Sequence, residues 1–457
     1  MAGIGFELRK LLKKRSYAGL LQTYVYAGII SSGPWVLSII GILVVGLLSI
    51  SVVVPNVLIS QFQVTVTYII AISLIFTGLA QLVYTRYIAD RLFENKEDLV
   101  VPTLNGLLLV ILLIGGTIVG SVAYWFFPEQ SILYRFLIVI GFSTLSSIWL
   151  VAILLSGLKQ YMQIFWSFLL GYIVVVGSAF VLRRYGMEGL LAGFVFGHII
   201  LLMSMLFQVY RSFPESSCVS FSFFNRNEVY LSLVVSGFLF NLGLWVDKFM
   251  FWFNPDTGQQ VIGPLHASVI YDFPLFLAYL AIIPGMAVFL VRIETDFAEY
   301  YDRFFRAVRE GSTLEYIEVM RNEMVISVRK GIFDIAKIQT IFVLISFLLA
   351  PSFLSWLGVS LLYLPLLYID IISASLQVAL LALINILFYL DERILVMKLM
   401  ILFVLTNLLF TWISFNLGVV FFGYGIAVSL TVTLFIGLWI LNRLLDRLEF
   451  DTFMMHN

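Results

Sequence analysis

The chain has 457 residues, of which 61% are hydrophobic and only 12% charged. A soluble fold cannot hide that much apolar surface, and soluble domains carry roughly 25% charged residues. With 27 basic and 27 acidic residues the formal net charge is zero, which excludes a global electrostatic footprint for nucleic acid and leaves a lipid bilayer as the solvent that fits.

The first element is basic. Residues 4–15 set Ile4, Leu8, Leu11 and Leu12 on one helical face and Arg9, Lys10, Lys13 and Lys14 on the other. That pattern predicts an interfacial helix within residues 1–19, lying on anionic lipid. A basic flank that only fixes topology is the plainer alternative. No small-residue cleavage site follows, so the segment is read as retained.

A spanning helix needs about 20 apolar residues, and about twelve stretches qualify. They run 22–48, 64–85, 102–126, 136–157, 161–182, 189–210, 229–252, 268–291, 334–357, 364–388, 395–415 and 422–442. Breakers separate them, among them Pro55-Asn56, Gly186 and Pro255 with Gly258. The expected fold is an all-α polytopic membrane protein of two six-helix bundles. Its expected parts are residues 1–19, a first bundle 20–210, a linker 211–228, a second bundle 229–442 and a tail 443–457.

Orientation follows the basic residues. The N-terminal cluster, Arg86, Arg91 and Lys96, and the run from Arg292 to Lys337 all fall on one side. Arg135, Arg183 and Arg184 fall on the other. Both termini are therefore expected in the cytoplasm.

Residues 294–331 form the long hydrophilic stretch. Phe297, Tyr301, Phe304 and Val308 recur at helical spacing, as do Leu314, Ile317, Met320, Met324 and Val328. Gly311 suits the residue after a helix end, and Ser312 with Glu315 reads as a capping box. A cytoplasmic helical hairpin is expected, serving either as a solvated connector or as a docking surface for a partner.

Ionisable residues inside a span mark functional sites by default. Asp247 and Lys248 in the seventh span are the foremost candidates. Being adjacent, they point about 100° apart and are expected to be poor partners for each other. Tyr271 and Asp272 in the eighth span join them, with Trp35 and Trp245 as aromatic surfaces. Gly33-Pro34, Pro274 and Pro284 are expected hinges, because proline removes a helical hydrogen bond. Asp370 and His198 are weaker candidates, and His198 reads first as a packing residue. The single Cys218 permits no intrachain disulfide. No metal-ligand spacing, phosphate loop or catalytic constellation occurs, so no cofactor, no metal and no enzymatic activity are expected.

The opening Met-Ala-Gly-Ile-Gly-Phe-Glu-Leu-Arg-Lys-Leu-Leu at 1–12, followed by Tyr26-Ala27-Gly28 and Ser32-Gly33-Pro34-Trp35, resembles the PelG family. These are membrane transporters of the Pel exopolysaccharide system in Gram-negative bacteria, similar to the multidrug/oligosaccharidyl-lipid/polysaccharide exporters. The resemblance covers essentially the whole chain. It implies two six-helix bundles around a central cavity, and export of an N-acetylgalactosamine-rich polymer across the inner membrane for biofilm matrix. It also implies a cytoplasmic glycosyltransferase and membrane subunits as partners, with no role for nucleic acid. It carries no catalytic residues onto this chain. Three alternatives stand beside it: a proton- or cation-coupled multidrug-type exporter, a lipid-linked oligosaccharide exporter, and a scaffold anchoring a synthase.

Overall fold

The computed structural model describes residues 17–50, 52–213, 217–225 and 229–454. The side chains of residues 17–21, Trp35 and 449–454 lie outside it, as does the segment 4–15 read as an interfacial helix.

Helices α1 (Tyr17–Ser49), α2 (Val57–Phe93), α3 (Val100–Phe126), α4 (Ile132–Gly157), α5 (Tyr161–Leu182), α6 (Gly186–Ser212) and α7 (Leu231–Phe253) come first. They are followed by α8 (Val269–Ala278), α9 (Ile282–Val291), α10 (Ala298–Arg309), α11 (Leu314–Trp356), α12 (Leu364–Tyr389), α13 (Arg393–Leu417) and α14 (Tyr424–Met454). Among the described residues, 10 helical runs are long and apolar enough to cross a membrane. One of them, Tyr161–Ser212, reverses direction. A Cβ on Gly171 would meet Leu201, and Cβ atoms on Gly197, Gly193 and Gly189 would meet Val175, Ala179 and Leu182, the ladder of an antiparallel hairpin. That run therefore holds two spans, and α1, broken near Pro34, supplies a further one. The chain is an all-α polytopic membrane protein, and its described residues hold twelve spans, in line with the about twelve expected.

Burial supports the same reading. Val66, Leu104, Ile148, Leu190, Phe194 and Leu201 are wholly enclosed, whereas Leu348, Trp356 and Leu362 stand open on the outside. Large apolar side chains in that position need lipid around them.

Two compact units divide the described chain: residues 33–269, and residues 17–32 with 270–454. These boundaries differ from the division expected near 211–228, because α7 packs along α2 in the first unit. Within that unit the backbones of α2 and α7 meet at two glycines. A Cβ on Gly78 would lie 2.6 Å from the Gly237 carbonyl oxygen, and one on Gly237 would lie 2.3 Å from the Gly78 oxygen. The described part of the linker is also tied to the first unit. Ser220 N donates to Pro102 O at 2.8 Å, and Asn105 Nδ2 donates to Cys218 O at 2.9 Å.

After α7 the chain forms a short antiparallel hairpin, β1 (Gln259–Ile262) with β2 (Leu265–Ala267), where the sequence shows only turn signals. It is fastened to α2: Gln61 Nε2 donates to Val261 O and Tyr68 OH donates to His266 O.

In the second unit the hydrophilic hairpin is α10 and the first part of α11. Gly311 has φ +65°, and Ser312 N donates to Ala307 O while Gly311 N donates to Val308 O. This is the glycine helix end expected from the sequence. The cap of α11, however, is Thr313, whose hydroxyl accepts from Tyr316 N at 3.4 Å. Ser312 is unsuited to that role, because its own N–H still closes the preceding helix. The hairpin's second arm is no separate helix either: α11 runs 43 residues without interruption into the ninth span.

Candidate functional site

The seventh span carries the most heavily buried charges in the first unit. Asp247 and Lys248 are both enclosed. Lys248 Nζ lies 3.4 Å from each carboxylate oxygen of Asp247 and donates to Leu244 O at 2.7 Å. The expectation that these neighbours are poor partners is thus corrected. The lysine stem is long and flexible enough to fold back one helical turn toward Leu244, and this carries the ammonium over the adjacent carboxylate. Together the two side chains form a charge-neutral pair. Trp245 lies beside them, its ring centroid 5.7 Å from Nζ, a cation–π distance.

Rings extend this group toward the end of the helix. Trp245 and Trp252 have centroids 6.2 Å apart, and Phe249 meets Trp252 edge-on at 5.2 Å. Tyr68 of α2 lies 4.6 Å from Trp252 while its hydroxyl holds the β-hairpin. Trp252 is fully buried and acts in packing, whereas Trp245 and Phe249 are partly open. The first unit thus sets a neutralised ion pair beside partly open rings on one helix.

The remaining sequence candidates sit elsewhere. Trp35 has its side chain outside the described residues. Gly33 lies against Phe165, where a Cβ would be 2.8 Å from the ring, and the unit boundary falls between Ser32 and Gly33, next to Pro34. Tyr271 and Asp272 belong to the second unit. Tyr271 is fully buried; Asp272 is half-buried in the first turn of α8, where a carboxylate complements the helix dipole.

The eighth span is broken as its prolines imply. α8 gives way to a 3₁₀ turn at Tyr279–Ala281 before α9 begins. Pro284 has no N–H for the carbonyl one turn earlier, and its ring crowds that carbonyl. Pro274 stands within α8 without interrupting it. The break is braced from outside: Gln339 of α11, 3% exposed, donates from Nε2 to Ala281 O at 3.2 Å. The Gln339 amide lies directly against Gly285, where a Cβ would come within 2.7 Å of its Cδ. The carbonyl that Pro284 leaves without its α-helical donor is that of Leu280, and the amide ties α11 to the next carbonyl of the same break.

Gln339 escapes sequence reading, although a lone amide at the start of an apolar run is the available signal. A second such group joins three helices of the first unit. Tyr172 OH donates to Ser38 Oγ at 2.7 Å and lies 3.2 Å from His198 Nε2, while His198 Nδ1 is 2.8 Å from Phe194 O. Both ring nitrogens of His198 are thereby occupied.

Over residues 1–453 the chain matches a family model described as "PelG: Putative exopolysaccharide Exporter (EPS-E)". The chain belongs to the PelG family. Among curated proteins no sequence matches it. In fold this PelG-family chain is similar to a multidrug resistance MATE family transporter of the MOP superfamily in an outward-facing conformation. That likeness has 13% identity and a TM-score of 0.65, over 93% of this chain and 96% of that one. It is similar also to a MOP superfamily transporter from Pyrococcus furiosus Vc1 (DSM3638), reported with a binding pocket of reversed polarity. There the identity is 14% and the TM-score 0.63, over the same shares. An inward-facing MATE structure matches at 14% identity and a TM-score of 0.58, over 92% and 95%. At these identities the likeness carries the fold alone. The PelG-family chain is a multi-pass membrane transporter of an exopolysaccharide exporter family.

Proposed function

We propose that this protein exports a Pel-type, N-acetylgalactosamine-rich polysaccharide from cytoplasm to periplasm across the bacterial inner membrane, for the biofilm matrix. The observation that carries the reading is the family match across residues 1–453. The basic residues gathered on one side of the spans support an orientation with both termini in the cytoplasm. Partners under this reading are a cytoplasmic glycosyltransferase that supplies the growing chain and membrane subunits of the same export system.

The chemistry of the seventh span suits a neutral cargo. A cation-coupled drug exporter requires a carboxylate that trades its proton for a cation. Asp247 instead lies beside an ammonium in its own helix, and the half-buried rings of Trp245 and Phe249 offer flat apolar faces for pyranose rings. Deleting the gene and measuring secreted and surface polysaccharide tests the reading. Loss of both, restored by the parent gene, is the expected result; unchanged polysaccharide would end it. Replacing Asp247 by Asn and measuring drug efflux separately sets the alternative aside if polymer output falls while efflux does not.

A further inference from the structure

The ninth span is the most open of the long apolar runs among the described residues. In its most apolar stretch 11% of the residues are buried, against 33–67% in the other nine runs. It is the second part of α11, which carries its hydrophilic start into the apolar region without a break. Residues three, seven and eleven positions apart on a helix share a face. One such face of α11 carries Lys330, Phe333 and Lys337, followed by Ile341, Leu344 and Leu348, all of them exposed. No charged residue follows Lys337 in α11, so this lysine stands at the edge of the apolar stretch. Lys330 lies two turns before it, about 10 Å along the axis.

The acid placed to neutralise both lysines serves another helix. Asp334 stands four residues after Lys330 and three before Lys337, the spacings at which ion pairs form along a helix. It turns instead to Arg292, 2.8 Å away, which opens the π-helical turn Arg292–Phe297 at the end of the eighth span. The neighbouring cation, Arg329, goes to Asn442 and Asp446 of α14. Glu323 shares the face of the lysines two turns before Lys330. Among the described residues neither lysine makes an ion pair with it or with any other carboxylate. The helix thus spends its other charges on its own neighbours and turns two ammonium groups outward, one above the other, over an apolar stripe.

We infer that Lys330 and Lys337 hold the headgroup of an anionic phospholipid at the hydrophilic end of the ninth span, with an acyl chain along Ile341, Leu344 and Leu348. Lysine stems lie along apolar surface while their ammonium groups reach the headgroup layer, where anionic lipid attracts them. Phe333, between the two lysines, offers an apolar ring at the boundary of headgroup and chain. A zwitterionic lipid fits less well, because it brings its own cation against two ammonium groups with no carboxylate to receive it. The continuous stripe below the lysines favours a lipid over a free phosphate ion, which has nothing to lay there. The inference stands apart from the export reading and needs only the membrane.

The test uses the full chain, delipidated in a neutral detergent, with dioctanoyl phosphatidylglycerol as the probe. Dioctanoyl phosphatidylcholine and inorganic phosphate are the comparison ligands. Native mass spectrometry measures bound lipid, and the melting temperature follows the stabilisation it confers. Replacing both lysines, Lys330→Gln with Lys337→Gln, is expected to weaken phosphatidylglycerol binding at least about tenfold, which is about 1.4 kcal/mol, and to abolish the rise in melting temperature. Lys330→Arg with Lys337→Arg keeps both cations and retains binding. Lys398→Gln, which removes an exposed lysine from α13, leaves binding unchanged. Parent-level binding by the double Gln variant overturns the site, as does equal binding of the two lipids by the parent chain. An equal loss in Lys398→Gln shows diffuse charge attraction and overturns it too. Displacement of the lipid by inorganic phosphate at the same concentration assigns a phosphate site without a lipid and overturns it likewise. Should the double Gln variant fail to fold, Lys337→Gln alone decides: weaker phosphatidylglycerol binding at an unchanged lipid-free melting temperature supports the site, and unchanged binding ends it.

Discussion

Lys248 lays its ammonium 3.4 Å from both carboxylate oxygens of Asp247, its neighbour in the chain, with the side chains 4% and 0% exposed. Breaking a buried ion pair by removing one member costs about 3–5 kcal/mol, whereas replacing both by neutral groups costs far less. Asp247→Asn and Lys248→Met should each lower the melting temperature and detergent-solubilised yield. The double variant should recover most of that stability. The double-mutant cycle then gives a large interaction energy; strictly additive losses would show that the two charges do not sense each other. A double variant that is stable but exports no polymer places the pair in the cargo path rather than in the scaffold.

The contact of Gly78 with Gly237 is backbone on backbone, so a methyl group there cannot be relieved by turning a side chain. Gly237→Ala should cost about 1–3 kcal/mol through overpacking, and Gly237→Val more. Gly177 is the matched control. It lies within α5, where an added Cβ would meet nothing within 4 Å, so Gly177→Ala should be neutral or stabilise by up to about 1 kcal/mol. Thermal unfolding in detergent checks both, and equal effects at the two glycines would contradict the close approach.

Much of this architecture is legible in the chain, because a bilayer imposes a length on each apolar stretch and Gly311 or Pro284 can be read from local chemistry alone. What stays hidden depends on partners distant in sequence. Gly237 by itself is one small residue in an apolar span, and its meaning comes from Gly78 on another helix. The β-hairpin opens with Gln259-Gln260, too short and polar to signal a strand, and exists because Gln61 and Tyr68 fasten it. Asp247, Lys248 and Trp245 can be picked out as costly or amphipathic residues in a span. Their mutual geometry cannot, since it depends on how far a lysine stem folds back. The π turn at 292–297 has no pattern that distinguishes it from the α-helix on either side.

Gln339 and Pro284 should be coupled. Gln339→Leu removes the hydrogen bond that ties α11 to Ala281 O, a loss of about 1 kcal/mol. Pro284→Ala returns an N–H to the helix and favours an α-helical turn over the 3₁₀ break. With the N–H at position 284 bonded to Leu280 O the span needs the brace less, so Gln339→Leu should be better tolerated in a Pro284→Ala background. Melting temperatures of the four chains measure this directly. Pro284→Ala alone should stabilise the span and slow polymer export if the break serves movement; unchanged export assigns it to packing alone.

The hydrophilic hairpin bears on the proposed glycosyltransferase partner. α11 is held to α14 by Arg321 Nη2, which donates to Leu445 O and Asp446 O, and by Arg329, which donates to Asn442 Oδ1 at 3.0 Å. Arg329 also approaches Asp446 at 3.4 Å with both side chains more than half exposed, a pair worth about 0–1 kcal/mol. Arg329→Ala should therefore shift the melting temperature little. The outer face of the same helix start carries Tyr316 and Val319, both exposed among charged neighbours. Exposed apolar side chains on a hydrophilic element suit a protein partner. Tyr316→Ser with Val319→Ser should leave the exporter's melting temperature unchanged and strip the glycosyltransferase from purified membranes. If the enzyme remains membrane-bound at the parent level, this face is not where it docks, and the hairpin serves only to join α10 to the ninth span.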